Sequence, residues 1–279
     1  MSDLSTKREQ LLAAIERYDS CAVAFSAGVD STVVAKAASL ALGDRSVAIT
    51  AVSPSLAEGE LEQARSLAKQ MGIRHEVVHT AELENPEYAA NAANRCYHCK
   101  TELYEQLLPL CEQLGVTVIL NGANADDASD YRPGMEAAKE HQVVSPLLDC
   151  NIDKQMVRQL AAHWELPVAD KPAAPCLASR IAYGEEVTTE RLRMIDRAEQ
   201  FLRGQGLSTL RVRYHRGDLA RVEVSPSELA KLCDEATRQQ ICNQLRDLGF
   251  KYVTIDLEGF RSGSQNEVLP IESLRVIDR

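Results

Sequence analysis

Several features are missing from this 279-residue chain, and each absence excludes a class of protein. No apolar run approaches the roughly 20 residues that a bilayer-spanning helix needs, so we expect no membrane span. The first residues lack the basic and apolar regions of a signal peptide, which makes the cytoplasm the expected location. Positive charge is not in excess either. A net charge of −10 and a pI near 5.2 argue against a general nucleic-acid binder.

Two common nucleotide-binding motifs are also missing. No Gly-Lys-Ser/Thr follows a glycine-rich loop, which excludes a Walker A loop, and the G-x-G-x-x-G spacing is absent. The chain instead carries Ser26-Ala27-Gly28-Val29-Asp30-Ser31 between a short apolar run and a helical pattern. A helix N-terminus with small residues and hydroxyls suits an anion. We therefore predict that Ser26, Gly28, Asp30 and Ser31 hold nucleotide phosphates, with an ordinary backbone angle at Ala27. A βα turn without a ligand is the alternative.

Apolar strands alternate with helices over the first two thirds of the chain. The pattern predicts strands at 21–25, 46–52, 75–79 and 116–120, and helices at 31–42, 57–71 and 100–114. Such alternation is typical of a parallel sheet covered on both faces. After about residue 184 the order becomes helix, hairpin, long helix (to Leu248) and strand. We therefore predict an α/β domain at 1–184 and a smaller C-terminal α+β domain at 185–279.

A second polar loop follows the fourth predicted strand. It contains Gly122, which allows close backbone approach, and the adjacent carboxylates of Asp126 and Asp127. Ligands of parallel sheets collect at the carboxyl ends of strands, so this loop and the phosphate loop could share one site. Paired carboxylates suit Mg²⁺, which prefers oxygen ligands and bridges phosphates. An Asn/Asp-rich turn with capping duties is the alternative.

Eight cysteines are many for such a chain, and a reducing compartment disfavours a disulfide framework. Cys96 and Cys99 form a CxxC pair that could clasp a metal or cluster, or act as a redox dithiol. Cys176 is the best candidate for a third thiol, in a site with one open position. It lies among prolines, with Arg180 near enough to favour a thiolate. A buried, inert cysteine is the alternative for Cys176.

Basic residues in the C-terminal part suggest an anion site. Arg211 and Arg213 lie on one face of a predicted strand, and parallel guanidinium groups suit a phosphate or carboxylates. Arg261 could join them. The alternative is a solvated strand face.

Together these motifs resemble the LarE family of PP-loop ATP pyrophosphatases. The resemblance covers nearly the whole chain and is most specific at Pro175-Cys176-Leu177-Ala178-Ser179-Arg180. It implies an adenine nucleotide alpha-hydrolase-like domain and an ATP- and Mg²⁺-dependent sulfur transferase. Such enzymes convert the carboxylates of pyridinium-3,5-biscarboxylic acid mononucleotide to thiocarboxylates, for the nickel-pincer nucleotide of lactate racemase. The implied partner is this small nucleotide, without nucleic acid or membrane, and the implied assembly is a homo-hexamer.

The family obtains sulfur in two ways. In one, a cysteine matching Cys176 gives up its own sulfur and becomes dehydroalanine. In the other, three cysteines hold a [4Fe-4S] cluster that carries a labile sulfide. Cys96 and Cys99 together with Cys176 match the cluster-bearing form. This hypothesis makes Cys176, Asp30 and Arg180 catalytic, and Arg211 and Arg213 substrate-binding. Glu199 would orient one of these arginines. The rivals are a PP-loop tRNA thiolase, an ammonia-using PP-loop enzyme with zinc, and a nucleotide-binding regulator without catalysis.

Overall fold

The computed structural model describes residues 3–129, 133–172, 175–261 and 264–265. Its strands are β1 (Cys21–Ala24), β2 (Ser46–Val52), β3 (Arg74–His79), β4 (Val118–Leu120), β5 (Leu210–His215), β6 (Leu219–Val224) and β7 (Tyr252–Ile255). Its helices are α1 (Asp3–Glu16), α2 (Val29–Leu42), α3 (Glu60–Met71), α4 (Pro86–Ala89), α5 (Arg95–Leu114), α6 (Pro133–Glu140), α7 (Pro146–Asp149), α8 (Lys154–His163), α9 (Thr189–Gly204), α10 (Leu229–Cys233) and α11 (Glu235–Asp247). Among these described helices, none combines the length and apolarity needed to cross a bilayer.

The chain forms two compact units that are not continuous in sequence. The first takes in the described residues up to Ser53, then Glu58–Glu82, and the stretch from Cys96 to residue 172. The second takes in Pro54–Ala57, Leu83–Arg95 and the described residues from Pro175 onward.

The first unit contains a parallel sheet in the order β3-β2-β1-β4. Cys21 at the start of β1 pairs with Ser46 of β2 on one side and with Val118 of β4 on the other. From β1 the chain adds β2 and then β3 on one side, and it later returns to add β4 on the other side of β1. The order in which strands are added therefore reverses between β1 and β4. In open parallel sheets, ligands bind beside the carboxyl ends of the strands at such a switch point. The predicted α/β fold is confirmed here.

Helix α2 packs closely on this sheet because its inward positions carry alanine and valine. Val33, Val34, Ala37 and Ala38 are all fully buried. Small side chains let the helix backbone approach the strands, so the first turn of α2 is fixed beside the end of β1. This packing positions the loop on which the site is built.

The second unit contains a separate sheet in the order β5-β6-β7, in which β5 and β6 are antiparallel and β6 and β7 are parallel. The predicted small α+β domain is therefore present. The prediction of one long helix up to Leu248 was wrong. Asp234 adopts a non-helical conformation between α10 and α11, and its carboxylate accepts the Thr237 N–H as a new N-cap.

Candidate functional site

The phosphate loop joins the end of β1 to the first turn of α2. Ser31 Oγ donates to the Gly28 carbonyl (3.2 Å), lies 3.1 Å from Ser26 Oγ, and accepts the Ser26 N–H at 3.3 Å. Gly28 is the N-cap residue and has no side chain with which to cap the helix. Backbone N–H groups and two hydroxyls therefore surround the positive end of the helix, an arrangement that suits a phosphate.

Ala27 adopts a left-handed backbone conformation, with φ at 55°. The prediction of an ordinary angle was therefore wrong. A side chain in this region costs about 1–2 kcal/mol, which is why glycine is the usual choice. The methyl of Ala27 is fully buried in the core, and that burial offsets part of the strain. The tight reversal from strand to helix, rather than the residue type, sets this angle.

The loop after β4 lies directly against the start of α2. A methyl group on Gly122 would lie 2.8 Å from Ser31 N, so only glycine permits this approach. The amide of Asn124 donates to Asp30 Oδ1 at 3.1 Å. The structure thus brings together Asp30 and the Gly122–Asp127 loop, which the sequence had placed at neighbouring strand ends.

A closed ring of contacts surrounds this junction. Asn124 Oδ1 accepts the Asp126 N–H at 3.0 Å, and Asp126 Oδ2 accepts the Lys154 N–H at 2.9 Å. The ammonium of Lys154 forms an ion pair with Asp30, which closes the ring. Asp127 plays another part, since its buried carboxylate accepts the Asn124 N–H at 3.1 Å and shapes the loop. Sequence reasoning missed Asn124 and Lys154.

The donor set at the ring suits Mg²⁺ and a phosphate chain. Asp30, whose side chain is 23% exposed, and Asp126 supply carboxylate oxygens, and Mg²⁺ commonly takes one or two carboxylates plus substrate phosphates. Within the described part of this unit, no three His, Cys, Asp or Glu side chains form a metal-binding group by themselves.

The CxxC pair lies in the first turn of α5, which begins at Arg95 rather than at the predicted residue 100. Residues three apart share a helix face, so the thiols of Cys96 and Cys99 project from the same side. Cys96 is exposed and Cys99 is partly exposed. Two thiols on one face are a suitable donor pair for a soft metal centre.

Cys176 lies in an exposed loop of the second unit, which contradicts the alternative of a buried, inert cysteine. The Leu177 N–H donates to the Ser55 carbonyl at 3.0 Å. The buried guanidinium of Arg180 donates to the Cys176 carbonyl at 3.0 Å and also contacts the Pro175 carbonyl. Arg180 therefore braces the backbone that carries the thiol.

A buried arginine cluster lies beneath this loop. Glu199, at the centre, accepts from Arg180 (3.1 Å) and Arg203 (2.8 Å). Burial alone would raise the pKa of Glu199, but the Arg180 charge and hydrogen bond hold that pKa below its usual value. Glu223 accepts from Arg213 at 2.8 Å in a second buried pair. The alternative of a solvated strand face is thus contradicted for Arg213, because its side chain is buried.

Arg211 differs from Arg213 in its surroundings. Its guanidinium lies 5.1 Å from the Phe260 ring centroid and donates to the Leu210 carbonyl. Burial, together with the nearby Arg180 charge, lowers the pKa of Arg211 to about 10. An anion beside Arg211 would therefore be favoured. Arg261 is paired with Glu258 at 2.6 Å.

The comparisons with known proteins agree with this architecture. Residues 10–102 match the NAD synthase family model. The pyridinium-3,5-bisthiocarboxylic acid mononucleotide synthase of Lactiplantibacillus plantarum is 34% identical, over 96% of this chain and 97% of its own length. The chain belongs to the LarE family. Two uncharacterized proteins are also similar to this LarE-family chain. The protein slr1717 of Synechocystis sp. is 47% identical, over 95% of this chain and 99% of its own length. The protein MJ0830 of Methanocaldococcus jannaschii is 31% identical, over 86% of this chain and 90% of its own length.

Membership in the LarE family establishes the first unit as a PP-loop domain of an ATP-using enzyme family. The contacts around Asp30 and Ser31 lie at the switch point between β1 and β4, where open parallel sheets usually bind their ligands.

Proposed function

We propose that this chain is an ATP-dependent sulfur transferase that converts the carboxylates of pyridinium-3,5-biscarboxylic acid mononucleotide to thiocarboxylates, forming AMP and pyrophosphate. One observation carries the proposal. The two loops at the switch point are joined by four residues, Asp30, Asn124, Asp126 and Lys154. They occur in a chain that is similar, over nearly its full length, to a synthase of the corresponding bisthiocarboxylic acid.

Adenylation is assigned to the first unit. Ser26, Gly28 and Ser31 bind ATP phosphates through hydroxyl and backbone N–H groups at the start of α2. Asp30 and Asp126 would hold Mg²⁺, which supplies charge neutralisation to the phosphates when bound. A substrate carboxylate oxygen attacks the α-phosphorus, the bond to the bridging oxygen breaks, and pyrophosphate leaves. The protein contributes positioning and electrostatic stabilisation to this transfer.

We assign substrate binding to the arginine cluster, and the contacts of its members support a different role for each. Arg213 is bound to Glu223 and to the Ser179 carbonyl, and Arg180 is bound to Glu199. Arg211, whose lowered pKa reflects its buried charge, is the strongest candidate for the substrate phosphate. Glu199 then acts as the residue that orients Arg180, and Arg261 remains a predicted contributor.

Sulfur delivery is assigned to Cys96, Cys99 and Cys176. A [4Fe-4S] cluster on these thiols would supply an iron open to sulfide, a nucleophile for the acyl-adenylate. Support comes from a contact inside the second unit. Arg95, which directly precedes Cys96, donates to the Ala178 carbonyl at 2.9 Å, two residues beyond Cys176. Residues 95 and 178, which are close in sequence to Cys96 and Cys176, are thus in contact inside the second unit.

The test combines anaerobic metal analysis with turnover. Iron and acid-labile sulfide should co-purify with the wild type, and pyrophosphate release should depend on the dicarboxylate substrate. The double variant Cys96→Ala, Cys99→Ala should lose iron and multiple turnover, whereas Cys233→Ala, which removes another exposed thiol, should retain both. Undiminished multiple turnover by the double variant would defeat the cluster role.

The exposure of Cys176 supports one alternative, sacrifice of its own sulfur. In that case each chain would react once, and mass spectrometry would find dehydroalanine at position 176. A tRNA thiolase is tested by a gel shift with tRNA, in which a chain with a net charge of −10 is expected not to bind. Size-exclusion chromatography with light scattering tests the expected hexamer, and fractionation of cells tests the expected cytoplasmic location.

A further inference from the structure

The second unit takes in two short segments from the middle of the chain, and both contact the loop that carries Cys176. The first segment, Pro54–Ala57, accepts the Leu177 N–H at 3.0 Å through one of its backbone carbonyls. The second segment, Leu83–Arg95, contributes two polar residues that are almost fully buried. Burial of a polar side chain is costly unless it is hydrogen-bonded, so the partners of these two residues indicate their role.

Asn91 holds the end of the loop that lies farther from the cysteine. It is fully buried, and its amide donates to the carbonyls of Ala182 at 2.9 Å and Glu185 at 3.0 Å. The Ile181 carbonyl lies 3.3 Å from the same nitrogen. The Asn91 backbone has a φ of 54°, which asparagine adopts more readily than most residues, and its carbonyl accepts the Gly184 N–H at 3.1 Å. This one residue therefore fixes the course of the loop.

Arg95 holds the end of the loop that lies nearer to the cysteine. It is 5% exposed, and its guanidinium donates to the Ala178 carbonyl at 2.9 Å and to the side-chain oxygen of Asn91. The guanidinium carbon also lies 5.9 Å from the centre of the Tyr183 ring. Because guanidinium donors have a rigid planar arrangement, they fix their partners more closely than a flexible ammonium does. Asn91 and Arg95 thus form a clamp on the backbone that follows Cys176.

We propose that Asn91 and Arg95 are positioning residues that hold the Cys176 loop in the arrangement in which its thiol binds the cluster, without taking part in nucleotide binding. The inference rests on the proposed role of Cys176 as a cluster ligand. Residues that orient a metal ligand typically contribute about 10- to 100-fold to metal affinity. Loss of either clamp side chain should therefore loosen residues 176–182 and weaken iron binding. Affinity for ATP should not change, because its contacts are assigned to the first unit.

Hydrogen exchange read by mass spectrometry measures the loosening in metal-free protein, independently of activity. In Arg95→Ala and Asn91→Ala, the amides of residues 176–182 should exchange about tenfold or more faster, the range of one hydrogen bond to a charged group. Exchange in the parallel sheet of the first unit should stay at the wild-type rate. Arg158→Ala is a matched control, because the Arg158 guanidinium also donates to two backbone carbonyls, in the segment that follows α8 in the first unit.

Iron content and nucleotide binding complete the test. After anaerobic reconstitution, Arg95→Ala and Asn91→Ala should bind iron about tenfold or more weakly than the wild type. Both should bind Mg²⁺–ATP with wild-type affinity in isothermal titration calorimetry. Arg95→Lys, which keeps the charge but not the planar group, should fall between Arg95→Ala and the wild type in exchange and in iron content. Arg158→Ala should match the wild type in its iron content and in the exchange of residues 176–182.

Wild-type exchange of residues 176–182 in both clamp variants would overturn the inference. So would faster exchange throughout the chain, since a merely structural role predicts that result, and so would full iron content in a variant whose loop has loosened. If Arg95→Ala does not fold, Asn91→Ala and Arg95→Lys provide the comparison. If the wild type itself carries no iron, the proposed cluster role fails, and the exchange rates alone decide whether the clamp holds the loop.

Discussion

Replacing Gly122 with alanine tests how the phosphate loop is held. The added methyl carbon would lie 2.8 Å from Ser31 N and 3.1 Å from both the Asp30 carbonyl carbon and Ser31 Cα. All three are backbone atoms at the start of α2, so no side chain can turn aside to relieve the overlap. Either the loop after β4 or the first turn of α2 must move. Overpacking of this kind costs about 1–3 kcal/mol.

Urea unfolding followed by circular dichroism should show that loss in the free energy of unfolding of Gly122→Ala. Affinity for Mg²⁺–ATP should fall as well, because the same shift displaces the backbone N–H groups to which we assign phosphate binding. Gly204→Ala is the control. It lies in α9, where the added methyl would meet no atom within 4 Å beyond the adjacent residues and the helix's own backbone, and should be neutral or stabilising by up to about 1 kcal/mol. Wild-type stability and ATP affinity in Gly122→Ala would refute the reasoning.

Three further predictions concern the buried charges and thiols. Arg213→Ala removes two hydrogen bonds to the buried Glu223 carboxylate, which keeps Arg221 as an ionic partner, and should lower the free energy of unfolding by about 2–3 kcal/mol. Arg203→Ala, at a half-exposed arginine, should cost less than about 1 kcal/mol in urea titrations. Because the folded state lowers the pKa of Glu199 below its ordinary 4.5, the stabilisation it provides is present above that pH and is lost as the pH falls through the lowered pKa. Urea midpoints should therefore fall in acid for the wild type, and less steeply for Glu199→Gln. Burial raises the pKa of Cys21 to about 12 and that of Cys111 to about 11, so iodoacetamide at pH 8 should label both only after unfolding, as mass spectrometry would show.

The alternation of strands and helices was readable from sequence because each element has its own apolar period. Strand β2 matches its predicted range of 46–52, and the first unit is the parallel sheet that its apolar strands predicted. The break at Asp234 was missed because the residues on both sides favour helix, and a single carboxylate that caps a new helix decides the matter.

Sequence reasoning named several residues that the structure brings together, but not the contacts between them. Ser26, Asp30 and Asp126 were recognisable because small and acidic residues stand at strand ends. Lys154 was missed since it lies 124 positions from Asp30 and no local motif relates the two. A sequence signal did exist, because Asp153 before an apolar helical pattern is a usual helix start.

Sequence alone determined the strands, their alternation with helices in the first unit, and the resemblance to the family, because these follow from local periodicity and short motifs. Tertiary structure decided which charges meet. It placed Arg213 in a buried pair with Glu223, it paired Glu199 with Arg180, and it placed Lys154 on Asp30. The physical reason is that burial and Coulomb energy depend on distances in space, which the spacing of residues along a chain does not fix.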